Sequence, residues 1–131
     1  MFDEPHSKDT KNFDMLNKND EQKNGEIILV QVSCPPDQAD SICLNLLESG
    51  LASCINVIPV VKSFYRWRGK LQQDNESLLL IKCSADSYSL LEKHILDIHP
   101  YELPEIIIVS VSGGLTDYID WVLDPENKHS E

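Results

Sequence analysis

Three residues in the C-terminal half combine donor types that bind transition metals. His99, Glu102 and Glu105 lie within seven consecutive positions, and imidazole nitrogen and carboxylate oxygen are both ligands for Zn(II) and Cu(II). A turn between Pro100 and Pro104 would bring His99 close to Glu105. These two residues are therefore the candidate metal ligands, and ordinary structural hydrogen bonding is the alternative interpretation.

Cys54 offers a second possible chemistry, that of a nucleophilic thiolate. The residue alternates with Ile55 in a strand-like pattern, so its side chain shares a face with Asn56. If the turn that carries His99 folded over this face, a Cys–His pair would form, which is the minimum needed to activate the thiol. A buried, unreactive cysteine is the alternative. The other cysteines form no C-x-x-C pair and are predicted to be reduced core residues, namely Cys34, Cys43 and Cys83.

Four basic residues form a local positive cluster in a chain whose formal net charge is −11. They are four of the seven Lys and Arg residues that follow residue 24, and they fall within nine positions. This basic cluster consists of Lys62, Arg66, Arg68 and Lys70. Such a cluster suits a small anionic ligand or a carboxylate of a neighbouring subunit. A solvated strand face with ordinary salt bridges is the alternative.

A long strand over residues 53–68 positions most of these groups. Alternation at period two continues on both sides of Pro59, which predicts one strand with a bulge or bend at the proline. Sixteen residues at about 3.3 Å each span roughly 50 Å, whereas a compact domain of this size is about 35 Å across. An overhanging apolar strand aggregates if it stays unpaired, so the chain is predicted to self-associate. The candidate interface residues are Val61, Phe64, Tyr65 and Trp67.

The remaining elements are ordered around this strand. Apolar runs predict further strands at residues 26–34, 76–84 and 105–111. Helical periodicity predicts helices at 36–49, between 84 and 100, and at 115–123. The order β-α-β-β-α-β plus a C-terminal helix is typical of an α+β, ferredoxin-like sandwich.

Composition sets the domain boundaries and excludes some partners. Residues 1–24 are polar and are predicted to be a disordered or loosely docked leader, residues 25–124 form the domain, and residues 125–131 form a polar tail. The acidity of the chain opposes binding to nucleic acid or to an anionic membrane. No apolar run approaches the roughly 20 residues of a membrane span. A cytoplasmic location is the expectation.

Four segments together resemble the CutA divalent-cation tolerance family. They are ASCIN at 52–56, YRWRGK at 65–70, HPYELPE at 99–105, and Asp117-Tyr118 followed by Trp121. The resemblance extends over residues 26–123 and leaves the leader outside. It implies a ferredoxin-like subunit in a tight homotrimer, similar in architecture to the PII signalling proteins, with the long strand pairing across subunits.

The same resemblance implies a role in divalent-cation tolerance through weak binding of Cu(II), Zn(II) or other divalent metal ions in clefts between subunits. The candidate cleft residues lie in the matching segments and are Cys54, Lys70, Tyr101 and Tyr118. The family has no firmly established reaction, so a binding protein is expected and not an enzyme. Two alternatives stay open, a PII-like sensor of a small anionic metabolite and a trimeric scaffold without a metal role.

The chain departs from the family pattern at its copper ligands. The resemblance implies a copper site like that of bacterial members, which have a cysteine at the end of the first strand and a His-His pair before Pro-Tyr. Here Ser33 and Ile98 occupy the first two of these places, and His99 alone is retained. Cys34 is one residue along, so its side chain is expected on the opposite face of the strand.

Overall fold

The computed structural model describes residues 26–126, in which four strands form one antiparallel sheet. The strands are β1 (Ile27–Cys34), β2 (Cys54–Trp67), β3 (Lys70–Ser84) and β4 (Ile106–Ser110), in the spatial order β2-β3-β1-β4. The helices are α1 (Ala39–Glu48), α2 (Tyr88–Ile98) and α3 (Thr116–Leu123). The predicted ferredoxin-like α+β fold with a C-terminal helix is confirmed. The predicted leader and most of the predicted tail lie outside the described residues.

The core lies between one face of the sheet and the first two helices. Alternate residues of the central strands are fully buried there, with Val30 opposite Ile81 and Val32 opposite Leu79. The apolar stripes of α1 and α2 cover this face with the buried side chains of Ile42, Leu46, Leu91 and Ile95. Because side chains alternate along a strand, the intervening residues of β1 and β3 face the other side.

The second face of the sheet is covered in part by α3. Val122 of α3 is buried, and its carbonyl oxygen accepts a hydrogen bond from the Ser53 hydroxyl just before β2. The helix contacts β1 and β3 and leaves other residues of this face exposed, among them Ile107 and Val109 of β4. Within residues 26–126, no helix combines the length and apolarity needed to cross a membrane.

β2 and β3 form a hairpin that continues beyond the rest of the sheet. β1 pairs with β3 only from Ser77 to Ser84, so the segments 61–67 and 70–76 pair with each other alone. We call these two segments the hairpin arm. The register shifts between Ile58 and Val61, which confirms the bulge predicted at Pro59, and the Ser77 hydroxyl donates a 2.6 Å hydrogen bond to the Pro59 carbonyl oxygen.

The arm ends in a two-residue turn between Trp67 and Lys70. Arg68 has φ +52° and Gly69 has φ +80°, the pair of positive values that a type I′ hairpin turn requires. β3 begins at Lys70, six residues before its predicted start at residue 76. The added residues are mostly polar and carry no strand pattern of their own, so their conformation follows from pairing with β2.

Candidate functional site

His99 is a buried residue at the end of α2, with 8% of its surface exposed. Its Nδ1 accepts a 3.1 Å hydrogen bond from the backbone N–H of Tyr101. The neutral ring therefore carries its proton on Nε2, which donates to the Ser33 carbonyl oxygen at 2.8 Å. The single ligand lone pair of this ring, on Nδ1, is directed at the Tyr101 N–H and not at a metal ion.

The two carboxylates of the predicted metal turn have separate partners. Glu105 accepts a 2.9 Å hydrogen bond from the side-chain nitrogen of Gln31 on β1. Glu102 forms an ion pair with Arg68 at 3.2 Å, and both side chains are about 70% exposed (69% for Arg68 and 72% for Glu102). Across residues 26–126, no group of three or more His, Cys, Asp or Glu side chains converges as a metal site would require.

The residues of the predicted metal pair, His99 and Glu105, are each hydrogen-bonded to β1, and no third donor joins them among residues 26–126. The turn between the two prolines directs both side chains to β1, where each completes a structural hydrogen bond. Their residue types fit a Zn(II) or Cu(II) site, but both ring nitrogens of His99 are bonded to the backbone and one oxygen of Glu105 accepts from Gln31. The alternative interpretation, structural hydrogen bonding, describes the observed geometry.

Tyr101 joins the same turn to the base of the hairpin arm. Its hydroxyl donates a 2.7 Å hydrogen bond to Glu76, whose carboxylate is buried, and its ring lies 4.8 Å from the ring of His99 between centroids. Burial, and secondly the hydrogen bond to Glu76, raise the pKa of Tyr101 well above its ordinary value. This candidate cleft residue is thus part of a structural network at the end of α2.

The other predicted chemistry, a thiol at Cys54, has different neighbours from those expected. Lys82 of β3 lies directly opposite Cys54, and its Nζ is 3.9 Å from the Cys54 Sγ. The same Nζ donates a hydrogen bond to Asn56 Oδ1 and lies 6.0 Å from the ring centroid of Tyr118 on α3. We call Cys54, Asn56, Lys82 and Tyr118 the amine–thiol cluster.

Tyr118 closes this cluster from the helix side. Its ring stacks on Trp121 one turn later, with centroids 5.8 Å apart. Burial raises the pKa of the Tyr118 phenol, a hydrogen bond with the Cys54 thiol adds to this rise, and the Lys82 ammonium opposes it. The cluster therefore joins β2, β3 and α3 on the face of the sheet opposite α1 and α2.

The Cys54–His99 pair considered from the sequence is absent, because the ring of His99 is bound to Ser33. The partner that the sequence analysis missed is Lys82. It stands between the buried residues Ile81 and Cys83, and a single lysine inside an apolar strand was the available signal. The pairing register of β2 and β3, which places it opposite Cys54, was not readable from the sequence.

Lys70 lies at the opposite end of the hairpin from the amine–thiol cluster. It pairs with Trp67 at the tip, whereas Lys82 pairs with Cys54 twelve residues away, roughly 40 Å along the strand. The four predicted cleft residues therefore do not meet within one chain.

In the basic cluster, Arg68 lies 5.2 Å from the ring centroid of Trp67 and pairs with Glu102, and Lys62 and Arg66 are exposed on the arm.

The residues predicted to form an interface lie along the arm. Phe64 is 71% exposed, Tyr65 is exposed, and Val61 and Trp67 are half-buried. The Tyr65 hydroxyl donates a hydrogen bond across the arm to Asp74, and this bond raises the pKa of the phenol. Further exposed apolar side chains lie on the outer strands and on the arm segment of β3, namely Val57, Ile58, Val60, Leu71, Ile107, Ile108 and Val109.

Comparison with known families decides where this architecture belongs. A family model described as CutA1 divalent ion tolerance protein matches residues 28–125. The chain belongs to the CutA family. The family resemblance noted in the sequence is thereby confirmed over nearly the whole described part of the chain.

Individual CutA relatives agree with this assignment. A CutA homolog of Xenopus laevis is 40% identical over 106 residues, which cover 80% of this chain and 70% of the relative. The divalent-cation tolerance protein CutA of Thermus thermophilus is 36% identical over 98 residues, which cover 74% of this chain and 93% of the relative.

Solved CutA structures have the same fold. The divalent cation tolerance protein of Thermus thermophilus has a TM-score of 0.72 at 33% identity and covers 75% of this chain and 96% of its own. A PII-like protein CutA from a Nostoc species, in apo form, has a TM-score of 0.70 at 32% identity and covers 73% of this chain and 93% of its own. The fold is therefore also PII-like.

Proposed function

We propose that this CutA-family chain acts in divalent-cation tolerance as a homotrimer, and as a binding protein without catalytic turnover. The observation that supports the trimer is the hairpin arm. It carries exposed apolar side chains, including Phe64, on two strands that pair only with each other beyond the sheet. In this proposal the arm of each subunit packs on its neighbour.

The sheet also presents strand edges that suit this assembly. β2 and β4 are the outer strands in the order β2-β3-β1-β4, and both carry exposed apolar residues, such as Val60 and Ile107. An exposed apolar edge strand is an aggregation hazard unless another chain covers it. The likeness to a PII-like CutA structure supports a closed trimer as the form that covers these edges.

Light scattering and native mass spectrometry of the purified chain test the assembly. We expect a trimer at micromolar concentration. Phe64→Asp places a charge on the proposed interface and should shift the population to monomers. Leu44→Asp is the matched control, because Leu44 is similarly exposed, at 61%, but lies on α1. A wild-type monomer, or equal dissociation of both variants, would contradict the trimer.

For the metal role we propose weak binding of Cu(II) or Zn(II) in clefts between subunits. Because both ring nitrogens of His99 are hydrogen-bonded within the chain, we expect such a cleft to take ligands from more than one subunit. The cysteine and acidic side chains of the domain are suitable donor types. The names of the relatives, which refer to divalent-cation tolerance, support this role.

Stepwise addition of Cu(II) or Zn(II) in native mass spectrometry tests metal uptake. We expect three ions per trimer. His99→Gln keeps one acceptor and one donor for the bonds to Tyr101 and Ser33, and Glu105→Gln keeps the side-chain shape. Loss of metal uptake in either variant would show that the substituted residue is a ligand. Glu102→Gln is the control and should bind metal as the wild type does. A trimer that binds no metal would refute the metal role alone.

A second candidate function is that of a PII-like sensor that binds a small anionic metabolite at the basic cluster. The exposure of Lys62, Arg66 and Lys70 on the arm favours it. Calorimetry with ATP and with inorganic phosphate tests this candidate. Arg66→Ala or Lys70→Ala should abolish binding while the trimer persists, and Lys93→Ala on α2 should bind normally. Absence of binding at millimolar ligand would leave a scaffold role.

A cytoplasmic location is also part of the proposal. The relatives carry names that point to several compartments, since one from Arabidopsis thaliana is called chloroplastic and one from Archaeoglobus fulgidus is called periplasmic. Cell fractionation with an antibody against the chain tests the location, and enrichment in an organelle or in the periplasm would contradict it.

A further inference from the structure

Cys54 differs from the other described cysteines in exposure. Cys34, Cys43 and Cys83 are buried, and burial raises the pKa of each of these thiols, to about 11 for Cys34 and Cys83. Cys54 is half-buried at the start of β2, an outer strand of the sheet. Among the described cysteines it is therefore the most exposed residue.

The neighbours of Cys54 hold an ammonium group beside this sulfur. The strand register places Lys82 opposite Cys54, with its Nζ 3.9 Å from the Sγ. The side-chain oxygen of Asn56, two residues along the same face of β2, accepts a hydrogen bond from this Nζ and so keeps the amine in place. The ring of Tyr118 on α3 lies beside the same ammonium group, with its centroid 6.0 Å from the Nζ.

We propose that the amine–thiol cluster is a modification site at which a hydroperoxide oxidises Cys54 to a sulfenic acid. The thiolate sulfur attacks the distal peroxide oxygen, so that an S–O bond forms and the O–O bond breaks. The sulfur loses two electrons, and the peroxide is reduced to an alcohol, or to water when the oxidant is hydrogen peroxide. The distal oxygen keeps its hydrogen, and the leaving oxygen takes a proton from the Lys82 ammonium.

Each group of the cluster has a part in this step. A positive charge beside a thiol favours the thiolate, which is the form that reacts. A proton donor beside the breaking bond stabilises the leaving oxygen, and Lys82 and Tyr118 both supply one. The ring of Tyr118 stacks on Trp121 and lies near the Lys82 ammonium, so the helix α3 borders the site, and a small oxidant suits it best.

Trapping with dimedone, a reagent specific for sulfenic acids, tests the proposal on the full chain treated with EDTA and then with hydrogen peroxide. We expect one adduct per chain, located at Cys54 by peptide mapping, and none in Cys54→Ser. Lys82→Met should slow the labelling about tenfold, because it removes both the charge and the proton donor. Lys93→Met, which changes an exposed lysine of α2, should label at the wild-type rate.

Two further variants separate a chemical effect from a loss of structure. Lys82→Arg keeps the charge and should label faster than Lys82→Met, and Tyr118→Phe keeps the ring and should label a few-fold more slowly than wild type. Thermal melts of all variants verify that they are folded. Labelling spread over the four cysteines of the folded protein, no labelling at Cys54, or equal rates in Lys82→Met and wild type would overturn the proposal.

Discussion

The hydroxyl of Tyr101 donates a 2.7 Å hydrogen bond to the carboxylate of Glu76, and this bond ties the turn after α2 to the base of the hairpin arm. Glu76 is buried at 7% exposure, so the loss of its donor leaves a buried charge without this partner. We expect Tyr101→Phe to lower the free energy of unfolding by about 1–3 kcal/mol. Denaturant unfolding at a fixed protein concentration measures this change.

Tyr88 supplies the matched control for this substitution. Its hydroxyl also donates to a glutamate, Glu92, at 3.1 Å, but this hydrogen bond is exposed, although the Tyr88 ring packs partly against the core. We expect Tyr88→Phe to change the free energy of unfolding by less than about 0.5 kcal/mol. Equal effects of the two variants would show that the buried hydrogen bond to Glu76 contributes no more to the free energy of unfolding than the exposed one.

The tyrosines also predict a loss of stability at alkaline pH. Burial is the main cause of the raised pKa of Tyr101 and of Tyr88, which reaches about 12. In the unfolded chain a phenol ionises near pH 10. Above that pH the unfolded state binds fewer protons than the folded state, so this stability is fully present below about pH 10 and is lost as pH rises through the folded pKa values.

Absorbance of phenolate at 295 nm, recorded together with circular dichroism, measures this alkaline transition. We expect little phenolate at pH 10 and a rise that coincides with unfolding at higher pH. Tyr101→Phe should show a shallower decline of stability above pH 10, because it removes one linked group. Full ionisation of all four tyrosines near pH 10 with the fold intact would contradict the raised pKa values.

The turn at the tip of the arm predicts a stabilising substitution. Arg68 has φ +52°, a conformation that glycine and asparagine adopt more readily than arginine. Its ion pair with Glu102 is exposed and contributes little. We therefore expect Arg68→Gly or Arg68→Asn to raise the free energy of unfolding by about 0.5–1 kcal/mol. Arg66→Gly, in the adjacent strand, is the control and should lower the free energy of unfolding. A lower free energy of unfolding in Arg68→Asn would contradict the prediction that Arg68 is strained.

Most of the fold was predictable from the sequence because hydrophobic periodicity specifies each element locally. The helix between residues 84 and 100 and the bulge at Pro59 were both predicted correctly, since each depends on residues close in the chain. The first six residues of β3 were missed, because their strand conformation depends on pairing with β2 and not on their own polar composition.

The candidate site was predictable in its residues but not in its contacts. The sequence singled out Cys54 and Tyr118, and the structure brings them together with Lys82. It also singled out His99 as a metal ligand, whereas the ring binds the backbone of Ser33, 66 residues earlier. Residue type indicates which chemistry is possible, but long-range register decides which donor atoms remain available.

The orientation of α2 predicts different effects at two adjacent leucines. Leu91 is fully buried against the sheet, whereas Leu90 is 62% exposed. We expect Leu91→Ala to lower the free energy of unfolding by about 2–5 kcal/mol through the cavity it leaves. Leu90→Ala should change it by less than about 0.5 kcal/mol, as is usual for surface positions. Denaturant unfolding of both variants measures these values, and similar losses at the two sites would mean that the helix is oriented differently.

The proposed trimer predicts a thermal midpoint that depends on protein concentration. When folding is coupled to assembly, dilution favours the dissociated and unfolded states, so the thermal midpoint falls. We expect a midpoint above the range of about 45–65 °C that is typical of mesophile domains, and a measurable fall when the protein is diluted a hundredfold. Phe64→Asp should lower the midpoint and remove its dependence on concentration, whereas Leu44→Asp should retain it. A midpoint in the ordinary range that is unchanged by dilution would show that the chain folds without its neighbours.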